Sequence, residues 1–183
     1  FGNINFNQAS KVYAVHNSKY GEIWWYYPSS GSNENDSYVT FNYRENHWNI
    51  GSLARTAGTD AGVFTNPMAV STDGYVYEHE VGFSYDSASV YAESGPVQLG
   101  NGDNIMSVRQ VVPDEQTLGE AVVSFKTRNY PTGTQSTFGP YTAANPTDVR
   151  FAARQVNVKV TGAVLADWRI GVMRLDAIPS GKR

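Results

Sequence analysis

Residues 23–27, Ile-Trp-Trp-Tyr-Tyr, are bulky at every position. A β-strand points successive side chains to opposite faces, and a sheet with one wet face alternates apolar with polar. This stretch does not alternate, so both faces of its sheet are expected to be covered. A propeller blade, packed between neighbouring blades, meets that condition. One blade does not meet it alone, so the tract predicts that the chain is part of something larger.

The surrounding pattern predicts a four-stranded unit. Residues 11–16 (KVYAVH) read as a strand, residues 17–21 as a polar turn ending in glycine, and residues 22–27 as the aromatic strand. Pro28 stops that strand, because proline lacks the ladder N–H. Residues 28–36 (PSSGSNEND) read as a polar loop with no reason to be buried. Residues 37–44 form the next strand, with Val39, Phe41 and Tyr43 on one face. Glu45-Asn46 is a two-residue reversal into a fourth strand, residues 47–53, since asparagine tolerates positive φ. Four antiparallel strands in this length match one blade of about 40–45 residues. Asp73-Gly74 between residues 68–72 and 75–80 is a strong hairpin signal, read as a type I′ turn, and predicts a second, incomplete blade. Residues 82–91 add a strand.

After Glu93 the turns are richer in glycine and proline and the strands longer: residues 105–112, 120–128, 149–161 and 168–175. Val156, Val158 and Val160 alternate with Asn157 and Lys159, which predicts one buried and one wet face. Trp168, Ile170 and Val172 repeat the pattern, and Gly162 marks the connection between these two strands. Residues 129–146 are a long loop or irregular hairpin, a kind of segment often involved in contacts. No window has a helical period. The expected fold is all-β: a propeller-blade-like antiparallel region over residues 1–92, then a β-sandwich-like C-terminal domain over residues 93–183.

Charge sharpens that division. The 183 residues carry a net charge of -3, which gives no electrostatic case for a nucleic-acid binder. Residues 1–92 hold four basic and nine acidic residues; residues 93–183 hold ten and eight. There is no cysteine, so disulfides and thiolate metal sites are excluded. No apolar run approaches the roughly 20 residues that span a bilayer, and no secretory signal is visible. The chain starts at Phe1, which predicts a removed N-terminus or part of a longer protein.

Candidate chemistry is sparse. Glu78 and Glu80 lie on one strand face, about 6.5–7 Å apart by the strand rise, within the range of paired glycosidase carboxylates. Such carboxylates must flank a bond and normally come from different strands or loops, so a solvated charge pair, or one bridged to an arginine, is the better reading. His16, His47 and His79 are far apart in sequence, which argues against a metal site. Residues 33–36 and 101–104 offer oxygen ligands without the spacing of a calcium loop. Trp24 and Tyr26 could form a sugar platform, but Trp25 and Tyr27 fill the opposite face, as a blade core requires. Arg154 shares parity with Val156 and would point inward in an unbroken strand. It is therefore expected to pair, start a strand or follow a bulge, because a lone buried charge is costly. No phosphate loop, Ser-His-Asp set or Cys-His pair is present. No catalytic residue, metal or cofactor is expected. The structural or interface candidates are Trp24, Trp25, Tyr26, Tyr27, Trp48, Trp168, Arg154 and Arg174.

Several segments together resemble tailed-bacteriophage virion proteins: the aromatic strand and Pro28 before a Ser/Gly/Asn loop, Tyr38 to Glu45 (YVTFNYRE), Trp48 with Gly51, and Arg55-Thr56-Ala57. So do residues 74–80 with Gly82, residues 109–114 (RQVVPD), and the stretch from Ala166 through Trp168, Gly171 and Arg174. The chain is similar to the C-terminal region of tail-nozzle, tail-hub or packaged-DNA-stabilisation proteins, over nearly all 183 residues, and the shared motifs are structural. The resemblance implies propeller blades preceding a sandwich and a ring of copies in the virion tail, made in the host cytoplasm. The partners it implies are portal, adaptor and other tail proteins, with DNA passing without sequence-specific binding. The competing expectation is a carbohydrate- or receptor-binding module.

Overall fold

A computed structural model describes residues 2–83, 90–101, 104–113, 121–162 and 170–182, the side chain of Lys182 excepted. The protein is all-β and divides into two compact units, Phe1–Gly82 and Phe83–Arg183.

In the first unit a 3-10 helix, Phe6–Lys11, precedes a four-stranded antiparallel meander: β1 (Tyr13–Asn17), β2 (Glu22–Tyr27), β3 (Ser37–Asn42) and β4 (His47–Ser52), paired in chain order. The helix occupies part of the segment expected to begin the first strand, with the Asn5 side chain accepting the Asn7 N–H at its start. The β3–β4 reversal has four residues. The Asn42 side chain accepts the N–H groups of Arg44 and Glu45, and Asn46 closes the loop at φ 57°. The expected two-residue turn omitted this side-chain bracket.

A three-stranded meander follows: β5 (Ala57–Thr59), β6 (Met68–Val70) and β7 (Val76–Glu78). The Asp73-Gly74 hairpin is present, but its turn is not type I′. The Gly74 N–H donates to the Ser71 carbonyl, Gly74 alone has positive φ (85°), and the Ser71 N–H donates to the Tyr75 carbonyl. That is a three-residue loop with a glycine bulge, which relieves Asp73 of the left-handed conformation. The Asp73 carboxylate instead accepts from the Tyr75 N–H and the Tyr77 hydroxyl.

The second unit is a two-sheet sandwich. One sheet runs β13 (Thr147–Ala153), β10 (Asn104–Val112), β15 (Arg174–Lys182). The other runs β12 (Ser136–Thr142), β11 (Ala121–Arg128), β14 (Gln155–Gly162), β8 (Tyr91–Glu93), with β9 (Val97–Gln98) also on β14. Val108, Val111 and Phe151 of the first sheet meet Val123, Phe125 and Val156 of the second in one core. Val160 is buried beside Val156, and Asn157 and Lys159 face outward, as alternation predicts. Tyr91 and Ala92 pair with β14, so a boundary at residue 92 falls inside a strand of the second unit.

Two expectations change here, and one open alternative is decided. The long strand over residues 149–161 is two strands in different sheets, and the chain crosses between them at Arg154. Residues 129–146 form the irregular-hairpin alternative, because β12 pairs with β11 and bulges at Gly139-Pro140. Ile170 and Val172 are exposed and precede the final strand, so they do not fill the core. Trp168 lies outside the described residues, as do most of residues 82–91 and part of residues 101–104. Among the described residues, no helix is long and apolar enough to cross a membrane.

Candidate interaction surface

The register of β1–β4 sorts the aromatic residues onto two faces. Tyr13, Trp24, Tyr26 and Tyr38 share one, since Tyr13 pairs with Tyr26 and Tyr26 with Tyr38. Trp25, Tyr27, Phe41, Trp48 and Ile50 share the other, since Trp25 pairs with Val39, Val39 with Ile50 and Phe41 with Trp48.

The first face is covered within the unit. Trp24 lies 4.7 Å from Tyr38, and Tyr13 stacks on Tyr26 at 5.2 Å between centroids. The Trp24 indole N–H donates to Glu22. Gly51 is needed here because Tyr38 lies where a side chain would be: a Cβ would sit 2.3 Å from its ring and hydroxyl. A narrow cleft joins this face to the second sheet, with Val15, Trp24 and Tyr26 on one side and Thr59, Met68 and Ala69 on the other. Burial raises the Tyr26 hydroxyl far above its usual range, and Tyr13 is pushed up to about 12 for the same reason.

Polar groups tie the margins of this contact. Arg55 is buried, lies over the Tyr77 ring at 4.6 Å and donates through Nε to His79 Nε2 at 2.9 Å. Glu80 is half-buried and accepts from Asn17 Nδ2. Burial and the nearby Glu22 charge raise its carboxyl, with the Asn17 bond and Lys19 opposing. Glu78 ends β7, and Glu80 follows at φ 62°, so the two do not share a regular strand face. Glu78 is exposed and accepts from Asn66. The expected charge pair resolves into two carboxylates with separate partners, and the arginine bonds His79.

The second face is open. Trp25 stacks on Trp48 at 5.8 Å, and Phe41 lies 4.6 Å from Trp48. Trp48 is 63% exposed and Ile50 81%. A contiguous aromatic and aliphatic face of this kind marks an interaction site more often than ordinary surface does. Of the sequence candidates, Trp25, Tyr27 and Trp48 lie on this open face, while Trp24 and Tyr26 face the second sheet. Arg154 lies at the corner between sheets, with its guanidinium 5.6 Å from the Tyr130 centroid and its carbonyl accepting from the Leu99 N–H. Arg174 is exposed at the start of β15.

The loop of residues 28–36 is less solvated than its composition suggests. Pro28 and Asn35 are buried, Asn35 donates to the Lys11 carbonyl, and Glu34 pairs with Lys11. Asp36 accepts from the Ser29 N–H and hydroxyl. These bonds engage both of its carboxylate oxygens. Among the described residues, no three His, Asp or Glu gather as metal ligands would.

One grouping has no spacing signature in the sequence. His16, Tyr43 and Asp60 come from β1, the β3–β4 loop and the segment after β5. His16 Nδ1 is 3.0 Å from Asp60 Oδ2, and His16 Nε2 is 3.0 Å from the Tyr43 hydroxyl. The chain matches no protein-family model and no curated protein.

Proposed function

We propose that this chain is a structural component of a tailed-phage virion. In this reading it is a tail nozzle or hub protein, assembled as a ring of copies around the DNA path and contacting portal, adaptor or other tail proteins. It acts architecturally and not as an enzyme. The observation that carries the reading is the open face of the β1–β4 sheet, where Trp25, Phe41, Trp48 and Ile50 form an apolar surface on a blade-like meander whose other face is already packed. Fully burying a large apolar side chain contributes about 1.5–3 kcal/mol, so covering this face would drive association. The acidic excess of the first unit suits a wall past which DNA slides, because a duplex carries one negative charge per roughly 1.7 Å.

Sedimentation velocity on the purified chain tests the association. Self-association that Trp48→Ser weakens by at least roughly 30-fold, the scale of an interface hot spot, supports the reading. A monodisperse monomer unaffected by the substitution opposes it. Cryo-electron microscopy of the particle tests the location.

A second reading rests on the same exposure. Trp25 and Trp48 stack in an arrangement that could receive the flat face of a sugar. Quenching of tryptophan fluorescence by host-surface oligosaccharides, abolished in Trp48→Ser, would favour a glycan-binding module.

A further inference from the structure

We propose that Tyr43 is an acyl-acceptor site, with His16 as the base that takes its proton and Asp60 as the residue that positions His16. The inference concerns the chain with its open face uncovered, because His16 shares that face through its pairing with Ile23 and the pairing of Ile23 with Phe41.

The geometry supports each role. A carboxylate only accepts hydrogen bonds, so the 3.0 Å contact with Asp60 Oδ2 places a proton on His16 Nδ1. In the neutral ring Nε2 then carries a lone pair, and the Tyr43 hydroxyl lies 3.0 Å from it. Asp60 is itself fixed: its Oδ1 accepts from the Ser18 N–H, the Ser18 hydroxyl and the Ala61 N–H. Burial pushes its carboxyl up, but these donors and His16 hold it below the usual carboxylate range. Tyr43 is anchored by its N–H on the Gly21 carbonyl, and its ring stacks on His16 at 5.8 Å. Nucleophile, base and orienting carboxylate are the recurring parts of an activated hydroxyl.

Both working groups are reachable. Tyr43 is 44% exposed, and the His16 side chain 46%. The adjacent Arg44 guanidinium donates to the Ser18 and Lys19 carbonyls. Its donors are thus partly committed, which suits a neutral carbonyl better than a phosphoryl group with three charged oxygens. The donor class is therefore an activated ester. Tyr43 Oη attacks the carbonyl carbon and its proton passes to His16 Nε2. The bond from that carbon to the leaving oxygen breaks, and the departing aryloxide takes the proton from His16. The products are the Tyr43 ester and a phenol, with no change of oxidation state.

The test uses the whole chain and 4-nitrophenyl acetate at neutral pH, reading acetylation of each tyrosine by peptide mass spectrometry. Tyr75 and Tyr91 are 68% and 54% exposed and serve as internal references. Positioned bases contribute about 10²–10⁴-fold in enclosed sites; at this open one, Tyr43 should acylate at least about tenfold faster than Tyr75 despite its lower exposure. His16→Gln should bring it to within about twofold of Tyr75, and Asp60→Asn should slow it by an intermediate factor, with the reference rates and the circular-dichroism melt unchanged. Tyr43 labelling no faster than Tyr75, or a Tyr43 rate unchanged in a folded His16→Gln variant, would overturn the proposal. If either variant unfolds, the parent's ratio of Tyr43 to Tyr75 labelling alone decides.

Discussion

Eleven of the thirteen buried hydrophobic residues among those described, proline and glycine aside, belong to the second unit, and seven of the nine buried polar or charged ones belong to the first. The second unit faces two sheets around aliphatic and phenylalanine side chains. The first packs aromatic rings at one sheet face, ties its margins with Asn17, Arg55, His79 and Glu80, and leaves Trp48 and Ile50 exposed. Burial of apolar area is the dominant favourable term in folding. The second unit centres that term on a core between its own two sheets, although Tyr91, Val97 and Val172 are exposed, while the first leaves a contiguous aromatic face available for association.

The sharpest way to break this comparison is a matched pair of truncations. Phe125 is fully buried and contacts Phe151 at 5.0 Å and Tyr141 at 6.2 Å. Phe125→Ala should cost about 3–5 kcal/mol in denaturant unfolding of the second unit. Trp48→Ala removes a larger side chain but should cost under about 1 kcal/mol in the unassociated chain, because exposed positions contribute little. Comparable losses from both would mean that the open face is part of a closed core.

A smaller effect tests whether the polar groups of the first unit are structural. Asn35 is 2% exposed, and its Nδ2 donates to the Lys11 carbonyl at 2.8 Å. Asn35→Ala would leave that carbonyl without this donor, a loss of about 1–3 kcal/mol, read as a lower denaturant midpoint. An unchanged midpoint would show that the loop of residues 28–36 contributes nothing to the unit.

The contrast also explains what was legible in the sequence. Period-two alternation at Val156, Val158 and Val160 read the inward face of β14 correctly, with Val156 and Val160 buried, but not where that strand begins. Arg154 signalled trouble through its inward parity, and the structure resolves it as a corner between sheets. The final strand was expected over residues 168–175 and instead runs Arg174–Lys182; β15 lies at the edge of its sheet, where proline is tolerated, and its register against β10 shifts between Gly181 and Pro179. Bulk on both parities of β2 signalled two apolar faces, but no local pattern could say which of them the chain itself covers. The His16–Tyr43–Asp60 set was invisible because its members are brought together only by the packing of β1 with two loops.

The smallest expected effect concerns Glu80, where the polar margin of the first unit carries a cost. Burial and the Glu22 charge raise its folded pKa above that of the unfolded chain. Below the ordinary carboxylate range both states are protonated and the group is neutral to stability. As pH rises through that range the unfolded chain ionises first, and the full penalty is reached above the folded pKa. Glu80 therefore destabilises the protein at neutral pH. Glu80→Gln keeps an oxygen for the Asn17 donor and removes the charge. The variant should be slightly more stable than the parent at pH 7, with the gain disappearing near pH 4, as measured by denaturant midpoints at the two values. A variant less stable than the parent at pH 7 would mean that the attraction of Lys19 outweighs burial. The margin would then be a favourable ion-paired contact, and the division between an apolar unit and a polar one would rest on composition alone.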